Sequence, residues 1–150
     1  MPVLEINAIS KSYGKIKALD AVSFSIPQGS VFGLLGPNGS GKTTMLSIIL
    51  DVLQADGGGY KWFGQPPSYL HRKKIGALLE TPNLYHFLTA VQNLRITQSI
   101  SGRGNEADIH EVLEKVKLHE RKNSRFSTYS LGMKQRLAIA AALLGDPSVL

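Results

Sequence analysis

The sequence has no cysteine, which excludes disulfides, thiolate zinc sites and cysteine nucleophiles. It also has no long hydrophobic run. The strongest, Leu137 to Gly145, is closed by Arg136 and Asp146 and is less than half of the roughly 20 residues that a bilayer-crossing helix needs. Met1-Pro2-Val3-Leu4-Glu5 lacks the basic and apolar regions of a signal peptide, so a cytoplasmic location is expected. Repeats and low-complexity tracts are absent. Against these absences, 150 residues with 43% apolar and 19% charged side chains have the composition of one globular domain with a real core.

Acids are outnumbered, and the formal net charge is +6. The excess is local. Lys115 to Arg136 holds seven Lys or Arg and one acid, Glu120, whereas residues 1–114 carry ten basic and nine acidic side chains. A single patch of this kind reads first as a solvated face, then as phosphate attraction, and last as a nucleic-acid groove.

Leu4 and Ile6 alternate with polar neighbours, which predicts a strand over Val3–Ile9, and Lys11 to Lys15 reads as a turn. Val22, Phe24 and Ile26 predict a second half-buried strand, closed by Pro27-Gln28-Gly29. The unbroken apolar run Val31–Leu35 predicts a strand covered on both faces. A glycine-rich loop follows, and then Met45, Ile48, Ile49, Val52 and Leu53 recur at the spacing of one helix face. Gly57-Gly58-Gly59 reads as a flexible turn before a short strand over Tyr60–Phe63. A short basic helix ends near Lys74, and Ile75–Leu79 is a further buried-strand candidate. Beyond it the pattern turns helical: Leu88–Ile100, then a helix faced by Ile109, Val112, Leu113 and Val116, with Glu106 and Asp108 at its positive end. Ser130 is an expected N-cap. Arg136–Leu144 is apolar nearly all round and predicts a buried helix ended by Gly145-Asp146-Pro147. Ser148-Val149-Leu150 resembles the start of a strand. The order predicts an α/β fold with a helical insertion.

Gly36-Pro37-Asn38-Gly39-Ser40-Gly41-Lys42-Thr43 matches G-x-x-x-x-G-K-[ST]. Glycines let the backbone curl so that successive N–H groups converge on a polyanion, and the next helix adds its positive end. Lys42 is expected to reach the β- and γ-phosphates and to be the catalytic cation, and the Thr43 hydroxyl to ligate Mg²⁺. The bland alternative is a glycine-rich strand-to-helix turn with an exposed lysine. Kinases, GTPases, helicases and transporter ATPases share such a loop.

Three collinear segments narrow the choice: Ser12-Tyr13-Gly14 with Ala18 to Phe24, Gly36 to Thr44, and Tyr129 to Arg136. In these the chain resembles the ATP-binding subunit of an ATP-binding-cassette (ABC) transporter. The resemblance implies a P-loop NTPase of the ABC type. It implies an α/β core over about residues 1–86 and 145–150, a helical signature subdomain over about 87–144, and a sequence that stops before the Walker B strand. ATP and Mg²⁺ are the implied cofactors, held by Gly36, Pro37, Asn38, Gly39, Ser40, Gly41, Lys42, Thr43 and Thr44. Tyr13 matches the aromatic residue that stacks on adenine, although a tyrosine at a strand end also packs there without any ligand. Tyr129-Ser130-Leu131-Gly132-Met133 aligns with Leu-Ser-Gly-Gly-Gln. Ser130 and Gly132 match the residues that close over the γ-phosphate of ATP held by a second subunit. Leu131 and Met133 depart from the pattern, as in a subgroup exporting drugs, bacitracin-like peptides or lantibiotics. Taken alone, the segment is a capped helix start.

Glu80 stands where the family places a glutamine near Mg²⁺ and the attacking water. It is expected to keep a metal-sensing role, the other reading being a solvated loop carboxylate. In the family Asp146-Pro147 leads to a strand ending Asp-Glu, with a histidine further on; these would follow Leu150, and none of His71, His86, His110 and His119 takes that histidine's place. The 150 residues are thus expected to be an amino-terminal portion that alone binds ATP poorly and hydrolyses it negligibly. The resemblance implies a homo- or heterodimer of ATP-binding subunits, a separate membrane permease and no nucleic acid. It places the protein peripherally on the inner face of the plasma membrane. Two other readings stay open: a soluble ABC-type ATPase acting on ribosomes or DNA, and a nucleotide-binding module without turnover.

Overall fold

A computed structural model describes residues 1–78 and 83–150. The elements run β1 (Pro2–Tyr13), β2 (Ile16–Pro27), α1 (Lys42–Ile49), β3 (Gly57–Trp62), α2 (Tyr69–Arg72), α3 (Ala90–Ser101), α4 (Glu106–Lys115) and α5 (Leu131–Leu143), with 3₁₀ turns at His119–Arg121 and Phe126–Thr128. They form two compact units, Met1–Arg72 and Lys73–Leu150.

In the first unit β1 lies between β2 and β3 in an antiparallel sheet of three strands. Strict alternation carries Leu4 and Ile6 inward and would turn Ile9 outward. A bulge corrects the phase: Ala8 adopts φ 49°, its N–H donates to Ser23 Oγ at 2.8 Å, and the register with both neighbours shifts between residues 6 and 10. Leu4, Ile6 and Ile9 are all buried in consequence. Leu19 on β2 and Met45, Ile48 and Ile49 on one face of α1 are buried as well. The Trp62 indole N–H donates to the Ile49 carbonyl at 2.9 Å, tying the end of α1 to β3.

Several expectations require correction. The turn expected at Lys11 is confined to Gly14-Lys15, and both strands run longer. Gly57 to Gly59 are strand, not turn. Gly58 has φ +77°, and a β-carbon there would stand 2.2 Å from the Ala8 carbonyl oxygen, so glycine serves the close approach of β1 at its bulge. The α1 face ends at Ile49: Asp51 turns to φ 62°, and Val52 is exposed. The Val31–Leu35 run forms no strand among the described residues, and Val31 and Leu35 are exposed. Its apolar side chains call for cover on both faces, but it has no ladder partner among the described residues; Phe32 is stacked on Phe24 with ring centroids 5.0 Å apart.

In the second unit, α3, α4 and α5 pack around Leu94, Ile109, Leu113, Phe126 and Leu137. Each helix is capped by its own sequence. Thr89 and Gln92 form a capping box on α3, and Asn105 and Asp108 one on α4. Ser130 caps α5 as expected, its Oγ accepting from the Met133 N–H at 3.3 Å; the helix starts at Leu131, earlier than the apolar run. Ala138, Ala140 and Ala142 are buried in it, while Ile139 is exposed. The Ile75–Leu79 strand is reduced, within the described residues, to a parallel bridge from Ile75 to Val149, bonded at Gly76 N–H to Val149 O, 2.8 Å. Gly76 permits it, because a β-carbon there would lie 2.1 Å from the Ala142 carbonyl oxygen. No helix among the described residues is long and apolar enough to cross a membrane.

Candidate functional site

The glycine-rich loop leaves the Val31–Leu35 segment and delivers the chain into α1. Gly39 and Gly41 take left-handed conformations, φ 83° and 90°, which glycine adopts without steric cost. Ser40 N–H donates to the Pro37 carbonyl at 3.2 Å, tightening the turn. Lys42 folds back over its own loop: Nζ donates to the carbonyls of Gly36 and Pro37, 2.7 Å each, and stands 3.4 Å from Ser40 Oγ. Gly41 abuts β2, since a β-carbon on it would lie 2.4 Å from the Ala18 carbonyl oxygen. The sheet thereby fixes where α1 begins.

The start of α1 differs from those of the later helices. Thr89, Asn105 and Ser130 cap α3, α4 and α5, whereas α1 follows Gly41 without a side-chain cap. The first N–H groups of a helix have no intrahelical acceptor and carry its positive dipole end. A lysine beside uncapped amides, entered through left-handed glycines, fits a polyphosphate chemically. Thr43 is exposed and Thr44 half-buried in that first turn. Thr43 offers a hydroxyl of the kind Mg²⁺ accepts. Among the described residues no group of three or more His, Asp or Glu stands close enough to hold a metal, and Glu80 lies outside the described residues.

Tyr13 ends β1 opposite Ile16, half exposed at 49%. A contact that local spacing does not signal holds it. Lys11 Nζ lies 5.9 Å from the Tyr13 ring centroid and 2.7 Å from Asp56 Oδ1. Asp56 Oδ2 accepts the Ser12 N–H at 2.7 Å. The Lys11 hydrogen bond, then the Ser12 amide, hold the Asp56 carboxyl below its ordinary range. Asp56 is 45 residues from Lys11, and only the β1–β3 pairing brings it there.

Ser130 and Gly132 lie in the second unit at the start of α5, exposed together with Leu131. The base of this turn is firm. Tyr129 is buried, and its hydroxyl donates to the Arg121 carbonyl at 2.6 Å; burial raises its pKa above the usual tyrosine value. The basic patch is largely engaged locally. Arg136 donates to the Val116 and Lys117 carbonyls at 3.3 and 3.4 Å, at the negative end of α4. Lys115 pairs with Glu111 at 2.7 Å, and Lys134 lies 5.4 Å over the Phe126 ring.

A strand-supported sheet, a left-handed glycine loop and an uncapped helix carrying Lys42 define a P-loop α/β nucleotide-binding fold. Within that class the match is specific: the ABC transporter family covers residues 19–150, and the chain belongs to it. It is 38% identical over 151 residues to the bacitracin transport ATP-binding protein BcrA of Enterococcus faecalis, covering 99% of this chain and 49% of that protein. It is 37% identical to the lantibiotic transport ATP-binding protein SrtF of Streptococcus pyogenes, covering 99% and 64%. A solved ATP-binding subunit of an ABC transporter superposes with a TM-score of 0.84 at 29% identity, over 97% of this chain and 63% of that one. The chain thus spans about half to two-thirds of the length of these relatives. BcrA and SrtF are a bacitracin and a lantibiotic transport ATP-binding protein, the subgroup that the chain resembles at Leu131 and Met133.

Proposed function

We propose that the whole protein is the ATP-binding subunit of an exporter, coupling ATP binding and hydrolysis to movement of a peptide antibiotic or drug through a separate permease. The observation that carries this reading is the Gly36–Thr43 loop: left-handed at Gly39 and Gly41, crossed by the Lys42 ammonium, and opening onto the uncapped start of α1. Gly36 to Thr44 hold the phosphates through their main-chain N–H groups, Pro37 shaping the loop without donating, Lys42 places its charge on the β- and γ-phosphates, and Tyr13 takes the adenine face. The Thr43 hydroxyl would ligate Mg²⁺, and Glu80 would keep the metal-sensing role. When bound, MgATP supplies the phosphoanhydride bond and the metal charge that offsets its negative oxygens.

Ser130 and Gly132, exposed at the start of α5, close over the nucleotide held by a second subunit, so the working form is a homo- or heterodimer. The helical subdomain, about residues 87–144, moves on closure and transmits the motion to the permease, which keeps the protein at the inner face of the plasma membrane. The names of BcrA and SrtF support a peptide-antibiotic cargo. ATP-driven uptake of bacitracin or a lantibiotic into inverted vesicles carrying the full-length protein and its permease tests the reading. Uptake that vanishes with Lys42→Met supports it. Vesicles that hydrolyse ATP without uptake, with the protein instead bound to ribosomes or DNA, contradict it.

A further inference from the structure

Among the charged pairs of the first unit to which the loop, the signature turn and Tyr13 give no role, one stands apart. Lys11 and Asp56 form an ion pair at 2.7 Å, in which the lysine side chain is only 15% exposed. It does not resemble the solvated pairs elsewhere on this unit, such as Lys17–Asp20, whose side chains are 55% and 70% exposed. Its two ends act on consecutive residues. One Asp56 oxygen holds the Ser12 N–H, at the residue before Tyr13. The other orients Lys11, whose ammonium lies over the Tyr13 ring. An ammonium within about 6 Å of a ring centroid is attracted to the electron-rich face. A cation on one face leaves the other for a flat ligand, and the main-chain bond at Ser12 sets the direction in which the ring projects.

We infer that Asp56 and Lys11 are positioning residues for the nucleotide base, acting through Tyr13: Asp56 anchors the backbone at Ser12 and presents the Lys11 ammonium to one ring face, so that the opposite face is pre-ordered for a purine. The inference rests on the assignment of Tyr13 to the base. A ring already held loses less freedom on binding, so the pair contributes to base affinity and leaves phosphate affinity alone.

The test titrates the full-length protein, in Mg²⁺, with ATP and with inorganic tripolyphosphate, which carries the phosphates but no base. Asp56→Asn and Lys11→Met are expected to weaken ATP about three- to tenfold and to leave tripolyphosphate affinity unchanged, which also shows that the loop is folded. Lys11→Arg, which keeps both contacts, should retain ATP affinity. Adding Asp56→Asn to Tyr13→Ala should weaken ATP no further than Tyr13→Ala alone. Equal weakening of both ligands by Asp56→Asn overturns the proposal in favour of a purely structural pair, and so does unchanged ATP affinity where Tyr13→Ala weakens it. If Tyr13→Ala itself leaves ATP affinity intact, the assignment of Tyr13 is wrong and the inference falls with it.

Discussion

The carbonyl oxygen of Ala18 lies 2.4 Å from the position a β-carbon on Gly41 would occupy. This contact joins the sheet to the glycine-rich loop, and it distinguishes Gly41 from Gly39, which shares its left-handed conformation but has open space around it. Gly41→Ala meets both strain and collision and is expected to destabilise the protein by about 2–4 kcal/mol. Gly39→Ala meets strain alone, about 1–2 kcal/mol. Urea denaturation of the two variants gives the difference, and equal losses would remove the proposed role of Ala18.

Asn93 is the polar side chain found fully buried in the second unit, 1% exposed. It accepts the Tyr85 N–H at 2.7 Å and donates to the carbonyls of Tyr85 and Thr89 at 3.1 and 3.0 Å. Asn93→Leu fills the space but leaves the Tyr85 N–H without its acceptor, while the Tyr85 and Thr89 carbonyls keep the main-chain N–H groups of Leu88 and Asn93. A loss of about 2–4 kcal/mol is expected, together with faster hydrogen exchange at the Tyr85 amide. A near-neutral effect in denaturation would contradict the account.

Tyr129 gives a signed pH dependence. Burial raises its pKa in the folded state, so the neutral phenol favours folding. Its contribution is complete below the unfolded tyrosine value of about 10 and is lost as pH rises through the higher folded value. Tyr129→Phe removes the hydrogen bond to Arg121 and costs about 1 kcal/mol at neutral pH, and it flattens the decline in stability above about pH 10. An unchanged alkaline slope in the phenylalanine variant would refute the assignment.

Asp56 acts at the other end of the scale. Lys11 and the Ser12 amide hold its carboxyl low, so its contribution is present above the unfolded value of about 4 and is lost as pH falls through the lowered folded value. Asp56→Asn should therefore show a shallower loss of stability than the parent below about pH 4. Acid titration followed by circular dichroism reads it, and parallel curves would contradict it.

The conformation of the Gly36–Thr43 loop was legible because its determinants are local: eight consecutive residues specify both left-handed glycines and the lysine. Ser130 was legible for the same reason, since a cap bonds within its own first turn. The bulge at Ala8 was not, because the glycine that leaves room for it, Gly58, lies fifty residues on, and a glycine triplet reads as a turn until a strand is laid against it. The pattern in Val31–Leu35 reports what its side chains require, not what lies beside them, so an exposed segment read as a buried strand. Lys11 and Asp56 escaped notice because two ordinary surface residues acquire meaning only when β1 and β3 pair.

The central claim is that the N–H groups between Gly36 and Thr43, from every residue but Pro37, and the Lys42 ammonium hold a nucleotide's phosphates. Calorimetric titration of the full-length protein with MgATP tests it most directly. Saturable binding that weakens more than about tenfold in Lys42→Met, with the variant's thermal unfolding unchanged in the absence of nucleotide, is the predicted result. A flat titration of the folded parent protein, or equal affinities for parent and variant, would contradict the account.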